Sequence, residues 1–476
     1  MNIIYHIQDS KSIYDLYVIL ELYWGNKMNF DKLFEEFIDE IQGEGTYASS
    51  DEVRIATKEM LDVIKNNKDA TPDELVELII KDNLEQIENI KKKYNIPGYI
   101  VNINIDNINV KFMGGNIDYN GRKMSDDALF DLASITKFYT QVVLYNLINE
   151  GYFSFDDKIK ELDPRFINLG NITIRDISEF NVKFQTDGRL DSKSSFDDVY
   201  NTLYNVNVVD KGSYNYNNIG MMIIKEIMES VTGLSYEELI NKYIVSKYGL
   251  SNTHITIPKD KIINATGSAN AQIGMVNDPN TIALGGFSGY AGVFASNDDL
   301  IKLGKAFRED LIPNNMKSRA YTPGLSDYRG IMGNSYTSHE IGIDKSYVDK
   351  LEPKSNFALQ GSTKTLLHIG NNSICSILFN PASMDIDTFK DMERKLNERL
   401  ISQGRSPVSL IKYLSFNNGD IYKSFDVRNI IIPGSDSIEP IATSNAILTL
   451  RLRFLNKVIN ALDNTYNKEI NINKSL

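Results

Sequence analysis

Ser134 and Lys137 stand three residues apart, a spacing that places both side chains on one helix face, one turn apart. A serine hydroxyl at its free pKa is a poor nucleophile and needs a neighbouring base. A lysine amine can serve when burial disfavours its ammonium form. A helix N-terminus adds free backbone N–H groups that can face a developing oxyanion. The pair alone is a weak signal, because Ser409 and Lys412 repeat the spacing with nothing around them. Tyr216 and Asn218 strengthen the first copy. They stand two apart in the polar stretch 212–220, so a phenol and an amide can reach one site from one backbone. The phenol would relay a proton to or from the Ser134 oxygen, and the amide would orient a substrate.

These side chains need a scaffold. Period-two alternation from Tyr99 to Ile105 and from Val110 to Phe112 predicts a hairpin turning at Asp106 and Asn107. Leu129 to Lys137 opens an apolar helix that runs through Val142, Val143 and Leu147 and closes at Gly151. The stretch 212–220 leads into a second apolar helix, from Met221 to Val231. Upstream, the first 95 residues read as helical and acidic. Phe34, Phe37, Ile38 and Ile41 recur on one face, a further helix follows Ser50, and Thr71-Pro72-Asp73-Glu74 is a strong helix start. A strand-rich stretch covers about 330–380, a helix follows over 387–401, and 402–476 reads as a separate tail. The expected division is a helical N-terminal extension (1–70), a main domain (71–401) and a C-terminal extension (402–476). Residues 1–70 read as a cap over the main core; the other reading is a surface for a protein partner or a second copy of the chain.

The chain of 476 residues is 42% hydrophobic and 24% charged, ordinary for a soluble globular protein. Its net charge of −12 argues against a nucleic-acid binder, which needs a basic stripe facing phosphates. Cys375 is the only cysteine and none of the four histidines is paired at metal-ligand spacing, so neither a disulfide nor a metal is expected. No organic cofactor is implied. No run of about 18 apolar residues predicts a membrane span. The first residues show no signal-peptide pattern, which leads to the expectation of a cytoplasmic protein.

Taken together, the motifs resemble those of the serine β-lactamase and penicillin-binding-protein superfamily, and most of all its class C-like branch of esterases, D-amino-acid peptidases and amidases. Phe130-x-x-Ala133-Ser134-x-Thr136-Lys137 resembles the nucleophile motif, and Tyr216-Asn217-Asn218 the Tyr-x-Asn motif. Gly274-x-Val276-x-Asp278-x-Asn280, Leu284-Gly285-Gly286 and Gly289-x-Ala291-Gly292-x-Phe294-x-Ser296 resemble a signature of one sub-branch. The resemblance runs from about Ile96 to Asn380. It implies an α+β fold, with an antiparallel sheet flanked by helices plus an all-helical lobe. It also implies Ser134 as nucleophile, Lys137 as base, Tyr216 as proton shuttle and Asn218 as a substrate contact.

The departures bear on the substrate. Phe180-Asn181-Val182-Lys183 stands where the family writes His-Thr-Ser-Gly, and Asn277 and Tyr290 stand where histidines are common. The third motif, Lys-Thr-Gly or His-x-Gly, falls on Leu359-Gln360-Gly361, with His368-Ile369-Gly370 as the rival match. On the first alignment Gln360 and Gly361 contact substrate and the Ser362 N–H is the second oxyanion donor. Leu359 then removes the cation that commonly holds a substrate carboxylate. The expected activity is therefore hydrolysis of a small-molecule or peptide ester or amide lacking that carboxylate. An acyltransferase or peptide cyclase using the same residues is the nearest alternative, and a non-catalytic scaffold the more distant one.

Overall fold

The structure, a computed structural model, describes residues 30–43, 50–67, 70–93, 96–117, 121–213, 215–266, 273–308, 357–369, 373–379, parts of 394–407, 438–462 and 470–475. Ser409, Lys412 and residues 330–356 of the expected strand-rich stretch lie outside the described residues, as does much of the helix expected over 387–401.

Helices α1 (Phe30–Gly43), α2 (Ser50–Asn66) and α3 (Pro72–Lys93) come first. The capping box at the start of α3 is formed: the Thr71 N–H donates to Glu74 Oε2 at 2.7 Å and the Glu74 N–H to Thr71 Oγ1 at 3.3 Å. Strands β1 (Gly98–Ile105) and β2 (Ile108–Gly115) make the predicted hairpin, with Asp106 in the left-handed region at φ 47°. The chain then leaves the sheet to build a helical lobe. Its main members are α4 (Thr136–Asn149) and α5 (Ile219–Thr232). It returns through α6 (Asn297–Arg308) to β3 (Phe357–Gly361), β4 (Thr365–Ile369) and β5 (Ser373–Leu378). Helix α7 (Ile438–Leu462) and strand β6 (Ile470–Ser475) complete the described chain.

The six strands lie in the order β6-β2-β1-β5-β4-β3. All pairs are antiparallel except β6 with β2. Alternation along the strands divides the core into two clusters. Tyr99, Val101, Ile103 and Ile105 face α1, α2, α3 and α7, whereas Ile100, Leu367, Ile369 and Ile374 face the helical lobe. The expected α+β architecture is observed.

The described parts of 402–476 do not form the separate tail that the sequence suggested. Ile470 and Ile472 are buried as β6 pairs with β2, and Phe454 of α7 packs on Phe34 and Phe37 at centroid distances of 5.6 and 5.3 Å. An alternating strand pattern marks a buried face without saying which sheet edge receives it. The described N-terminal helices share this core, as a cap over the sheet. Among the described residues, no helix is long and apolar enough to cross a membrane.

Candidate active site

Phe130–Asp131 pairs with Phe294–Ala295, and a 3₁₀ turn, Ala133–Ile135, follows before α4 begins. Ser134 therefore sits in a tight turn ahead of the helix expected to open there. Ala133 has φ 44°, a left-handed conformation that costs about 1–3 kcal/mol in a non-glycine residue. Two groups of contacts hold it. Asp131 Oδ1 accepts the Ala133 N–H at 2.9 Å while Oδ2 accepts the Asn277 N–H at 2.8 Å. The Leu132 N–H donates to Val293 O at 3.0 Å, and the Val293 N–H to Thr136 Oγ1 at 3.2 Å.

Burial pushes the Asp131 carboxyl up to about 6 against the opposing pull of the Asn277 and Ala133 N–H groups. A carboxyl raised in the folded state favours folding most when protonated. Its contribution is full below the unfolded value near 3.9 and is lost as pH rises through about 6. Asp131→Asn removes the titration. The stability advantage of the native chain over this variant should shrink between pH 4 and pH 7 by an amount on the order of 2–3 kcal/mol. Urea unfolding of both proteins at the two pH values measures it, and a constant difference would contradict it.

Lys137 is fully buried and donates from Nζ to Ser134 Oγ at 3.0 Å, while Ser134 itself is half-buried. The amine also lies 4.6 Å from the Tyr216 ring centroid and 5.2 Å from that of Tyr290. None of the ion pairs among the described residues includes it. Tyr216 reaches this place because its ring stacks on Phe180, with centroids 5.2 Å apart and planes at 26°. The Asn215 N–H donates to Phe180 O at 2.6 Å, and Phe180 is itself left-handed at φ 54°. Phe180, a departure from the family pattern, thus supports Tyr216 directly. Asn217 is structural: its Nδ2 donates to Val182 O at 3.0 Å and its Oδ1 accepts the Gly220 N–H at 2.8 Å. Asn218 holds the N-cap position of α5 without a side-chain cap bond, so its own helix does not use its amide.

Strand β3 flanks the serine turn. A Cβ on Gly361 would lie 2.6 Å from Leu132 O and 3.3 Å from Ala133 Cβ. Thr363 Oγ1 donates to Asp131 O at 2.7 Å, and Thr365 Oγ1 to Leu132 O at 3.2 Å. Ser362, exposed, begins the turn that reverses the chain into β4. The edge strand beside Ser134 thus carries Leu359-Gln360-Gly361. The rival His368 lies one strand further in, opposite Cys375, on the face that packs against α7. Leu359 is buried in the core on the Ser134 side. Gln360 is not brought to the site: it pairs with Leu366, whose side chain belongs to the opposite core, so alternation turns it away. Asp131 and Tyr290 join the site without having been read as members of it. Asp131 lay unremarked inside the nucleophile motif, and Tyr290 stood out only as a departure.

A family model described as Beta-lactamase matches residues 83–330. Among curated proteins, the chain is 28% identical over 228 residues to a "Putative D-alanyl-D-alanine carboxypeptidase" of Escherichia coli (strain K12), covering 38% of this chain and 51% of that protein. It is 23% identical over 234 residues to Penicillin-binding protein 4* of Bacillus subtilis (strain 168), covering 42% and 50%. The chain spans about half the length of the curated relatives it matches. Among solved structures, a class C beta lactamase superposes with a TM-score of 0.53 at 16% identity, over 65% of this chain and 94% of that one. A beta-lactamase from Sulfitobacter sp. EE-36 gives 0.52 at 16% identity, over 70% and 100%. At that identity these likenesses speak for the fold alone. The serine turn, the Tyr-x-Asn segment and the edge strand meet in one place, and the family match covers more than half of the sequence. This chain belongs to the beta-lactamase family.

Proposed function

We propose that the chain is a serine hydrolase that opens an ester or amide through an acyl-enzyme on Ser134. The observation that carries this reading is the 3.0 Å contact between Ser134 Oγ and a fully buried amine, Lys137 Nζ. As Oγ bonds to the carbonyl carbon, Lys137 takes its proton and the carbonyl oxygen gains the negative charge. The Ser134 and Ser362 N–H groups are the donors offered to that oxyanion. Tyr216, beside the amine, carries the proton to the leaving group as its bond to carbon breaks. Water then attacks the acyl-enzyme, its proton returns by the same route, and Ser134 is released. Asn218 orients the substrate from the start of α5.

Leu359 supports the finer part of the reading. The curated relatives are named for D-alanyl-D-alanine cleavage and for penicillin binding, and both ligands carry a carboxylate near the reacting carbonyl. A leucine buried on the Ser134 side offers that carboxylate no charge. An ester or amide without it fits better.

Intact-protein mass after incubation with a fluorophosphonate and, separately, with a penicillin tests both parts. The fluorophosphonate should label the native chain and not Ser134→Ala, with penicillin acylation slower by about tenfold or more, the value of one lost charged contact. A folded protein that takes neither label would leave the fold as a non-catalytic scaffold. Penicillin acylation as fast as fluorophosphonate labelling would overturn the inference from Leu359.

A further inference from the structure

We propose that Tyr290 is a positioning residue for Lys137: its ring and that of Tyr216 form a two-walled aromatic slot that keeps the amine turned toward Ser134. The rate effects predicted below rest on the hydrolase reading; the slot itself does not.

A lysine side chain has four rotatable bonds, and holding them in one geometry costs rotamer freedom. A buried catalytic amine is commonly fixed by a carboxylate, yet none of the ion pairs among the described residues includes Lys137. What surrounds the Nζ is Ser134 Oγ at 3.0 Å and two ring faces, centred 4.6 and 5.2 Å away. Both rings are within the roughly 6 Å at which an ammonium is drawn to an aromatic face. Tyr216 is held by Phe180, as described. Tyr290 is held more firmly.

The segment carrying Tyr290 lies along α4. Thr140 Oγ1 donates to Gly289 O at 2.5 Å and the Val293 N–H donates to Thr136 Oγ1 at 3.2 Å, so the contacts bracket Lys137 on its own helix. On the other side Gly289 abuts α5 so closely that a Cβ would lie 2.4 Å from Met221 O. The Tyr290 side chain is buried, and its hydroxyl donates to Asp278 Oδ1, which also accepts the Thr281 N–H at 2.8 Å. With the hydroxyl committed to Asp278, the ring is what meets the amine. A benzene ring at 290 should therefore suffice, and an aliphatic side chain should not.

The test uses Tyr290→Phe, Tyr290→Leu and Tyr290→Met in the full chain, with the folded fraction of each set by circular dichroism. Tyr290→Phe should rescue fluorophosphonate labelling of Ser134 to within about threefold of the native rate, while the aliphatic variants fall by about tenfold or more. A role in packing alone would lower the folded fraction and leave the labelling rate per folded molecule unchanged. The second readout needs no turnover. In lysine-labelled protein, the Lys137 Hε resonances, assigned with Lys137→Met, should lie upfield of the ordinary lysine position through ring currents, and should move back in Tyr290→Leu. Ordinary Hε positions in the native chain would overturn the slot whether or not Ser134 reacts. Equal labelling rates per folded molecule for Tyr290→Phe and Tyr290→Leu would overturn it as well. Upfield resonances in a chain that takes no label would leave the slot standing and remove the hydrolase reading alone.

Discussion

Lys137→Met is expected to slow fluorophosphonate labelling of Ser134 by about 10²–10⁴-fold, the contribution of a positioned general base. The effect should be kinetic and not structural. Lys137 has no exposed surface, so the methionine fills an apolar, already dry space of similar length and removes an amine whose burial carries a desolvation cost. The melting temperature should hold or rise. Lys137→Arg should be as inactive, because a guanidinium cannot give up its proton and so cannot accept one from serine. Labelling rates by intact mass, read beside thermal unfolding curves, separate the two quantities. A methionine variant that labels within threefold of the native chain would remove Lys137 from the role of base.

The second large effect is expected at Gly361, where one methyl group is enough. The Cβ of Gly361→Ala would lie 2.2 Å from Thr365 Oγ1 and 2.6 Å from Leu132 O, both far inside van der Waals contact. Neither atom can retreat freely, since Thr365 Oγ1 is bonded to Leu132 O, and that carbonyl belongs to the turn before Ser134. Strand β3 must therefore move off the turn, carrying the Ser362 N–H with it. We expect a loss of about 1–3 kcal/mol from overpacking and a fall of tenfold or more in labelling from the displaced oxyanion donor. Gly170→Ala is the control, because its Cβ would meet only Lys160 Cδ at an ordinary 3.8 Å. Equal behaviour of the two variants, by urea unfolding and labelling, would show that β3 does not press on the serine turn.

Much of the candidate site's geometry was legible because its contacts are local. Ser134 and Lys137 meet through a spacing of three, and Tyr216 is delivered by the start of α5, which its polar lead and apolar run announce. The third motif could be reached by counting along the chain, although the count could not give the orientation of each side chain. Gln360 faces away because the register of β3 on β4 decides it. Asp131 and Tyr290 were harder to see for a different reason. One acts through two backbone N–H groups and the other through a ring face, and neither contact leaves a mark in residue spacing. The place of the C-terminal stretch was misjudged for lack of long-range pairing. Nothing in the composition of 438–475 says that its helix and strand close the far edge of the same sheet.

The strand order has a consequence for how the protein is made. The ribosome delivers the serine turn early, but β1 has no neighbour on one side until β5 emerges, and the turn has no flank until β3 does. Pairings so distant in sequence are slow to form, and the nascent chain must carry an unfinished sheet edge meanwhile. The flank of Ser134 is thus completed only after β3 is made. A chain stalled before residue 357 should hold the serine and lysine yet leave Ser134 unlabelled, so the order of synthesis itself sets when the serine turn gains its flank.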